Sequence, residues 1–313
     1  MTGGAGSGPF EAIARRPRLA AFLGASCIAF SGIFYRYAGE SPSTATLFRC
    51  LYGLPLLVLF AWLEWRRYGR LPAASIRLAA IAGIFFAGDL TFWHHSIEAV
   101  GAGLSTVLGN LQVLVVGFVA WLFLGERPSR AVLVALPVVL LGVVLISGLV
   151  GAGAYGANPV LGVVFGIGTA FCYSGYLLVI RRSGRDLSRP VSPVAFSTAA
   201  TAGVAILVGL PLGDLHLAPT WPAHGWLALY GVTSQFLGYV LISVSLPRLP
   251  AVVTSVILLA QPVMSVVLAM VLLGEAPSAL QLLGVALVVG GIAIATVPLA
   301  RIRGALAPAA PAP

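Results

Sequence analysis

The sequence predicts an all-helical integral membrane protein, with ten transmembrane helices built as two inverted five-helix repeats. Three observations predict it: an apolar composition, arginines that alternate by connection, and a self-similarity halfway along the chain. Of the 313 residues, 59% are hydrophobic and only 9% are charged, against about 25% charged in an ordinary soluble domain. A hydrocarbon core of ~30 Å needs ~20 apolar residues per helix, so ten crossings use roughly two-thirds of the chain and leave no sizeable extramembrane domain. The 37 glycines and 21 prolines are spread through the apolar runs, where membrane helices tolerate them.

Apolar runs separated by charge, Gly or Pro fall at about Leu19–Tyr37, Ser43–Leu63, Ile76–Ser96, Ala102–Leu124, Ala131–Leu149, Val160–Ile180, Pro193–Leu212, Gly225–Leu246, Ala251–Leu273 and Leu280–Ala300. The first follows Arg15, Arg16 and Arg18 as a signal peptide would. It has full spanning length, however, and reaches Arg36 without a small-residue cleavage motif, so it reads as a retained helix. The organisation expected is a first repeat over residues 1–150 with a tail of about 1–18, a second over 151–300, and a tail from 301 to 313.

All 18 basic residues are Arg, and sixteen lie in the N-terminal tail, in alternate connections or in the C-terminal tail. The intervening loops carry Glu40, Glu98, Asp214, His216, His224 and Glu275 but no Arg, while Arg36 and Arg49 fall within spans. An error of one span would scramble this alternation. The positive-inside rule places both termini in the cytoplasm, and the charge therefore reads as topology in an inner membrane, not as a nucleic-acid patch. Cys27, Cys50 and Cys172 lie inside apolar runs with no CxxC and no metal-ligand spacing. No cofactor or metal is expected, and without a phosphate-binding Gly-Lys-Ser/Thr loop, or any Lys, ATP drive is not expected either.

Sliding the chain on itself by 149 residues aligns Arg77–Ser147 with Trp226–Thr296 without a gap. The match carries Leu124-Gly125-Glu126 onto Leu273-Gly274-Glu275, Gln112 onto Gln261 and Gly142 onto Gly291; Ser31-Gly32 and Ser174-Gly175 correspond more weakly. Helices three to five thus repeat as eight to ten. Five crossings per copy force the second copy to enter from the opposite side, and such repeats place a substrate site near the midplane between them.

With the two Leu-Gly-Glu hairpins, and with Asp89-Leu90 and Trp93-His94 in helix three, the chain resembles the EamA-type drug/metabolite transporters along nearly its whole length. That superfamily includes bacterial exporters of aromatic amino acids, and also carriers of sugars and nucleotide sugars. The resemblance implies a basket-like bundle around a central cavity formed by helices one to four and six to nine, with helices five and ten at the periphery.

Intramembrane polar residues are the natural substrate contacts, because each needs a partner or a water-filled cavity. Asp89 and Trp93 share a face of helix three with Phe86 and Ser96, and His94 lies off that face. Asn110 belongs to helix four, Thr169, Tyr173 and Tyr176 to one face of helix six, Gln235 to helix eight with Gly231 and Gly238, and Gln261 to helix nine with Thr254 and Ser265. Each has a packing alternative: Gly stripes such as Gly162/Gly166 serve close helix approach, and amides bond neighbouring helices. Trp62, Trp65, Tyr68, Trp221 and Trp226, near helix ends, read as interface anchors. Arg49 and Asp89 lie at similar depth. They are either a structural ion pair or two cavity charges that meet the carboxylate and the ammonium of a zwitterion. Glu126 and Glu275 would complement the dipole of the helix that follows each.

The leading expectation is secondary transport by alternating access: export of aromatic or neutral amino acids, facilitated or proton-coupled through Asp89 or His94. With Arg49 alone as a well-placed cation, phosphorylated substrates are disfavoured. The competing class is an intramembrane hydrolase using Ser174 or Ser31 with His94, although neither serine has a nucleophile motif. Partners expected are the small-molecule substrate and the lipid bilayer; oligomeric state is left open.

Overall fold

The computed structural model describes residues 11–112, 114–115, 130–151, 153–184, 186, 188–245, 248–249, 257–258 and 260–296. Every regular element among them is helical. After a short turn at Glu11–Ala14, α1 runs from Pro17 to Ala38 with a junction at Phe30, and α2 spans Pro42–Tyr68. Helix α3 spans Ala73–Val100, α4 begins at Ala102–Gly109, and α5 covers Arg130–Ile146. The second half follows as α6 (Pro159–Ser183), α7 (Ser192–Leu212), α8 (Ala223–Ser245), α9 (Ala260–Leu272) and α10 (Ala279–Thr296). Among the described residues six of these, α1, α2, α3, α6, α7 and α8, are long and apolar enough to cross a membrane. Glu126 and Thr254 lie outside the described residues.

Local chemistry sets the starts. Ser41 accepts from the Thr44 amide at the head of α2 and Asn158 accepts from Leu161 at the head of α6, each followed by Pro, whose missing N–H costs nothing at that position. Large apolar side chains such as Leu133, Leu140, Leu207 and Val271 are more than half exposed. A water-soluble surface does not carry so many, and in a bilayer they face lipid.

Packing between helices obeys the duplication. Exchanging α1 with α6, α2 with α7, α3 with α8, α4 with α9 and α5 with α10 converts the α3–α6 contact into α8–α1, α3–α7 into α8–α2 and α4–α6 into α9–α1. The pairs α2–α7, α4–α9 and α5–α10 map onto themselves. At the α5–α10 crossing Gly142 and Gly284 face each other, and a methyl group on either would meet the other's carbonyl oxygen at 2.7 or 2.6 Å. Only residues without a side chain allow that approach.

The inversion is visible in hydrogen bonds. Glu64, one turn before the end of α2, accepts from the Val191 and Ser192 amides at the head of α7, both at 2.8 Å. Asp214, just past the end of α7, accepts from the Ser43 amide at the head of α2, and its carbonyl accepts from the Ser41 and Thr44 hydroxyls. The tail of each helix therefore sits at the head of the other, so these equivalent helices run antiparallel. Both carboxylates complement the positive end of a helix dipole.

Glu275 does the same between repeats. Its carboxylate accepts from Ala102 N at 2.6 Å and Gly103 N at 3.2 Å and is 4% exposed. The dipole partner is thus α4 of the other repeat, where the sequence pointed to the following helix, because the hairpin folds across the bundle. Burial pushes this carboxyl above its usual range while the two amides pull it down. Glu275→Ala orphans both amides and is expected to cost about 0.5–2 kcal/mol, with Glu275→Gln milder because one oxygen still accepts. Thermal unfolding in detergent measures the order of the two variants.

Candidate functional site

The site grows from Arg49, which α2 carries into the protein interior at 1% exposure. Nε donates to Gln235 Oε1 at 2.8 Å and Nη1 to the Tyr230 hydroxyl at 2.7 Å. The guanidinium also lies over the rings of Tyr230, Phe86 and Tyr239, at 4.5, 5.4 and 5.6 Å from their centroids, contacts that attract a desolvated cation. Nη2 is buried and, among the described residues, has no hydrogen-bond partner.

Helix α8 supplies four of these five contacts, through Tyr230, Gln235 and Tyr239, and its winding brings the first two together. Residues Gly231–Gly238 form a π-helix inside α8. In an α-helix, residues five apart point about 140° away from each other; the wider turn closed by i→i+5 bonds brings Tyr230 and Gln235 onto one face. Close approach of α2 completes the arrangement. A side chain at Gly231 would meet the Arg49 carbonyl at 2.8 Å, and one at Gly53 would meet Gln235 at 3.0 Å.

From Arg49 a hydrogen-bonded chain runs in both directions. Gln235 Nε2 donates to Thr198 Oγ1 of α7 at 2.7 Å; on the other side Tyr230 lies 3.2 Å from His94 Nε2, and His94 Nδ1 lies 3.1 Å from Thr46 Oγ1. Arg49 offers only donors, so the Tyr230 oxygen accepts from it and directs its own proton to Nε2, which leaves the His94 proton on Nδ1. The His94 ring stacks on Tyr35 at 4.2 Å, and Tyr35 donates to Glu98 at 2.8 Å. His94, assigned from the sequence to a separate face, is thereby a fully buried member of the Arg49 network.

Asp89 is the departure from a simple ion pair. It lies within electrostatic range of Arg49, yet among the described residues the two make no contact within 4.0 Å. The α8 side chains occupy Nε and Nη1, and the guanidinium stands open toward the carboxylate side only through Nη2. Around the two charges stands an aromatic wall: Phe86 stacks on Tyr176 at 4.7 Å, Tyr173 on Tyr176 at 5.9 Å, and Tyr239 meets Phe86 edge-on at 5.1 Å. Trp93 is half-buried, bridges two apolar cores and lies 5.4 Å from the His94 ring.

The remaining candidates stand apart from this network. Asn110 donates to Thr106 O of its own helix at 2.8 Å. Thr169 is buried against Gly109 of α4, and its hydroxyl has no partner among the described residues. Gln261 is half-buried on α9 with no hydrogen bond among the described residues. Trp226, read as an interface anchor, stacks inward on Phe34. Tyr230, Tyr239, Thr46 and Thr198 were missed: Tyr230 lies off the α-helical face of Gln235, Tyr239 lies on it but reads as an ordinary apolar-face aromatic, and small hydroxyls give no pattern of their own.

A serine nucleophile finds no support in this geometry. Ser174 donates to Ala170 O at 2.6 Å and Ser31 to Ser234 Oγ at 2.8 Å, and neither is bonded to His94. Among the described residues no cluster of His, Cys, Asp and Glu is suited to a metal ion.

The comparisons agree with this architecture. The EamA-like transporter family model matches twice, over residues 16–148 and 160–297. An "Uncharacterized transporter YdfC" from Bacillus subtilis (strain 168) is 26% identical over 277 residues, covering 86% of this chain and 87% of that protein. A solved structure described only as "Crystal structure of protein" superposes with a TM-score of 0.64 at 21% identity, covering 92% of this chain and 99% of its own, a likeness of fold. With both halves matched by one family model and an inverted pair of helical repeats around a buried charged network, the chain belongs to the EamA-like transporter family and is a multi-pass membrane transporter of small molecules, not an enzyme.

Proposed function

We propose that this protein exports zwitterionic small metabolites, aromatic and neutral amino acids first among them, across the bacterial cytoplasmic membrane by alternating access of the two repeats, with both termini in the cytoplasm. The observation that carries the reading is the buried Arg49 whose Nη2 has no partner among the described residues, held near an Asp89 with which it makes no ion-pair contact. Leaving the buried Arg49 cation without a counter-ion costs several kcal/mol, and a ligand carboxylate on Nη2 offsets it, with Asp89 placed to take the ligand's ammonium. Phe86, Tyr173, Tyr176 and Tyr239 then offer rings for stacking to an aromatic side chain. One cation does not suit a phosphate or nucleotide sugar, which calls for several.

Counterflow of labelled phenylalanine, leucine, glucose 6-phosphate and UDP-glucose into liposomes containing the purified protein tests this. Phenylalanine and leucine should exchange and the phosphorylated compounds should not; exchange of the phosphorylated compounds alone would reject the reading. Trp93→Ala is expected to reduce phenylalanine exchange more than leucine exchange, with near-normal protein abundance. An equal loss for both with poor folding would make Trp93 a packing residue.

A further inference from the structure

Away from Arg49, the arginine-rich end of the bundle holds a cavity of about 430 Å³ where the α2–α3 turn meets the end of α6. Three guanidiniums and one carboxylate line it: Arg70, Arg182, Arg189 and Asp186. Arg189 is committed. It donates to the carbonyls of Tyr68 and Arg70 and lies 3.2 Å from Asp186, which ties the segment after α6 to the end of α2. A Ser188 hydrogen bond holds the Asp186 carboxyl below its usual range, so it stays ionised as that partner. Arg182 has no ion-pair partner among the described residues, and Arg70 only flanks the Trp65 ring at 5.8 Å. Two cationic groups therefore face the cavity without a counter-ion among the described residues.

The other side of the cavity is apolar and leads into the membrane. Ala74 and Leu78 line it, and the same face of α3 continues as Ile81 and Phe85 at helical spacing, 45% and 40% exposed. Phe85 lies over Gly175 of α6, where a side chain would come within 2.4 Å of the ring. A shallow track floored by α6 thus runs from the guanidiniums along the bilayer-facing surface.

We propose that this cavity binds the phosphate of an anionic phospholipid from the adjoining leaflet between Arg70 and Arg182, with one acyl chain laid along Leu78, Ile81 and Phe85. A basic pocket between membrane helices is suited to an anionic headgroup. The continuous apolar track selects a lipid over a free anion, for which it would do nothing.

The test uses full-length protein, delipidated in detergent, with dioleoyl phosphatidylglycerol, dioleoyl phosphatidylcholine or inorganic phosphate as probes. Phosphatidylglycerol should raise the unfolding temperature beyond phosphatidylcholine and give several-fold more lipid-bound protein in native mass spectrometry. R70Q/R182Q should lose that difference while keeping the phosphatidylcholine response. R182Q alone changes an exposed residue and serves if the double variant folds poorly; Ile81→Asn should weaken retention of the lipid. Arg66 and Arg67 flank Trp62 and Tyr68 and do not line the cavity, so R66Q/R67Q should respond as the unaltered protein does. Equal responses to the two lipids, an undiminished response in the cavity variants, or an equal loss in R66Q/R67Q would overturn the proposal. An inorganic phosphate effect as large as that of phosphatidylglycerol would replace the lipid with a soluble anion.

Discussion

Arg49→Ala is expected to abolish substrate exchange while leaving the protein folded. Truncating one partner of a buried, hydrogen-bonded charge pair costs about 2–5 kcal/mol, so binding should weaken by at least on the order of 30-fold. Stability responds differently. The variant leaves Gln235 Oε1 and the Tyr230 hydroxyl short of a donor, roughly 1–3 kcal/mol each, but it also removes a buried cation with an unsatisfied Nη2. These terms oppose, and the unfolding midpoint should move far less than transport does. Asp89→Ala should also impair exchange. Because the two side chains are not in ion-pair contact, combining the variants should restore nothing; recovery of exchange in the double variant would turn them into a structural pair.

Gly231→Val should be more damaging to the fold than any other single change near the site. The new side chain would be driven into the α2 backbone, where the Arg49 carbonyl and the Gly53 nitrogen lie 2.8 and 2.9 Å from the position of the first added carbon. Overpacking of this kind costs about 1–3 kcal/mol, and here relief requires α2 and α8 to part, which withdraws Gln235 from Arg49. Both the unfolding midpoint and exchange should fall together. A variant with normal stability and normal exchange would show that the π segment absorbs the strain.

Much of the fold was legible because its signals are long. Twenty-residue apolar runs, arginines in alternate connections and the 149-residue self-match each reflect averages over many positions, so local exceptions such as Arg36 do not erase them. The site was legible in part. Arg49, Asp89 and His94 stand out as polar residues in hydrocarbon, and Gln235 does too, but their partners do not. Tyr230 joins Gln235 at Arg49 because the backbone widens at Gly231–Gly238, and no apolar period announces such a turn. The Glu275 cap was foreseen as charge against a dipole and missed as a bridge between repeats, since sequence distance conceals which helix a hairpin crosses. Asn110 Nδ2 donates to its own helix, a local use of an amide that polarity alone does not reveal.

The crossed caps of Glu64 and Asp214 bear on how such a molecule came to be one polypeptide. Each half finishes a helix that belongs to the other, so neither is self-sufficient: alone, α7 would start with bare amides where Glu64 had been, and α2 would lack Asp214. An ancestral single-copy version could meet that need by pairing head to tail with its twin. Fusion let the matching carboxylates and helix starts diverge, as the Glu at one junction and Asp at the other already have, and thereafter neither half could be exchanged for a second copy of its neighbour.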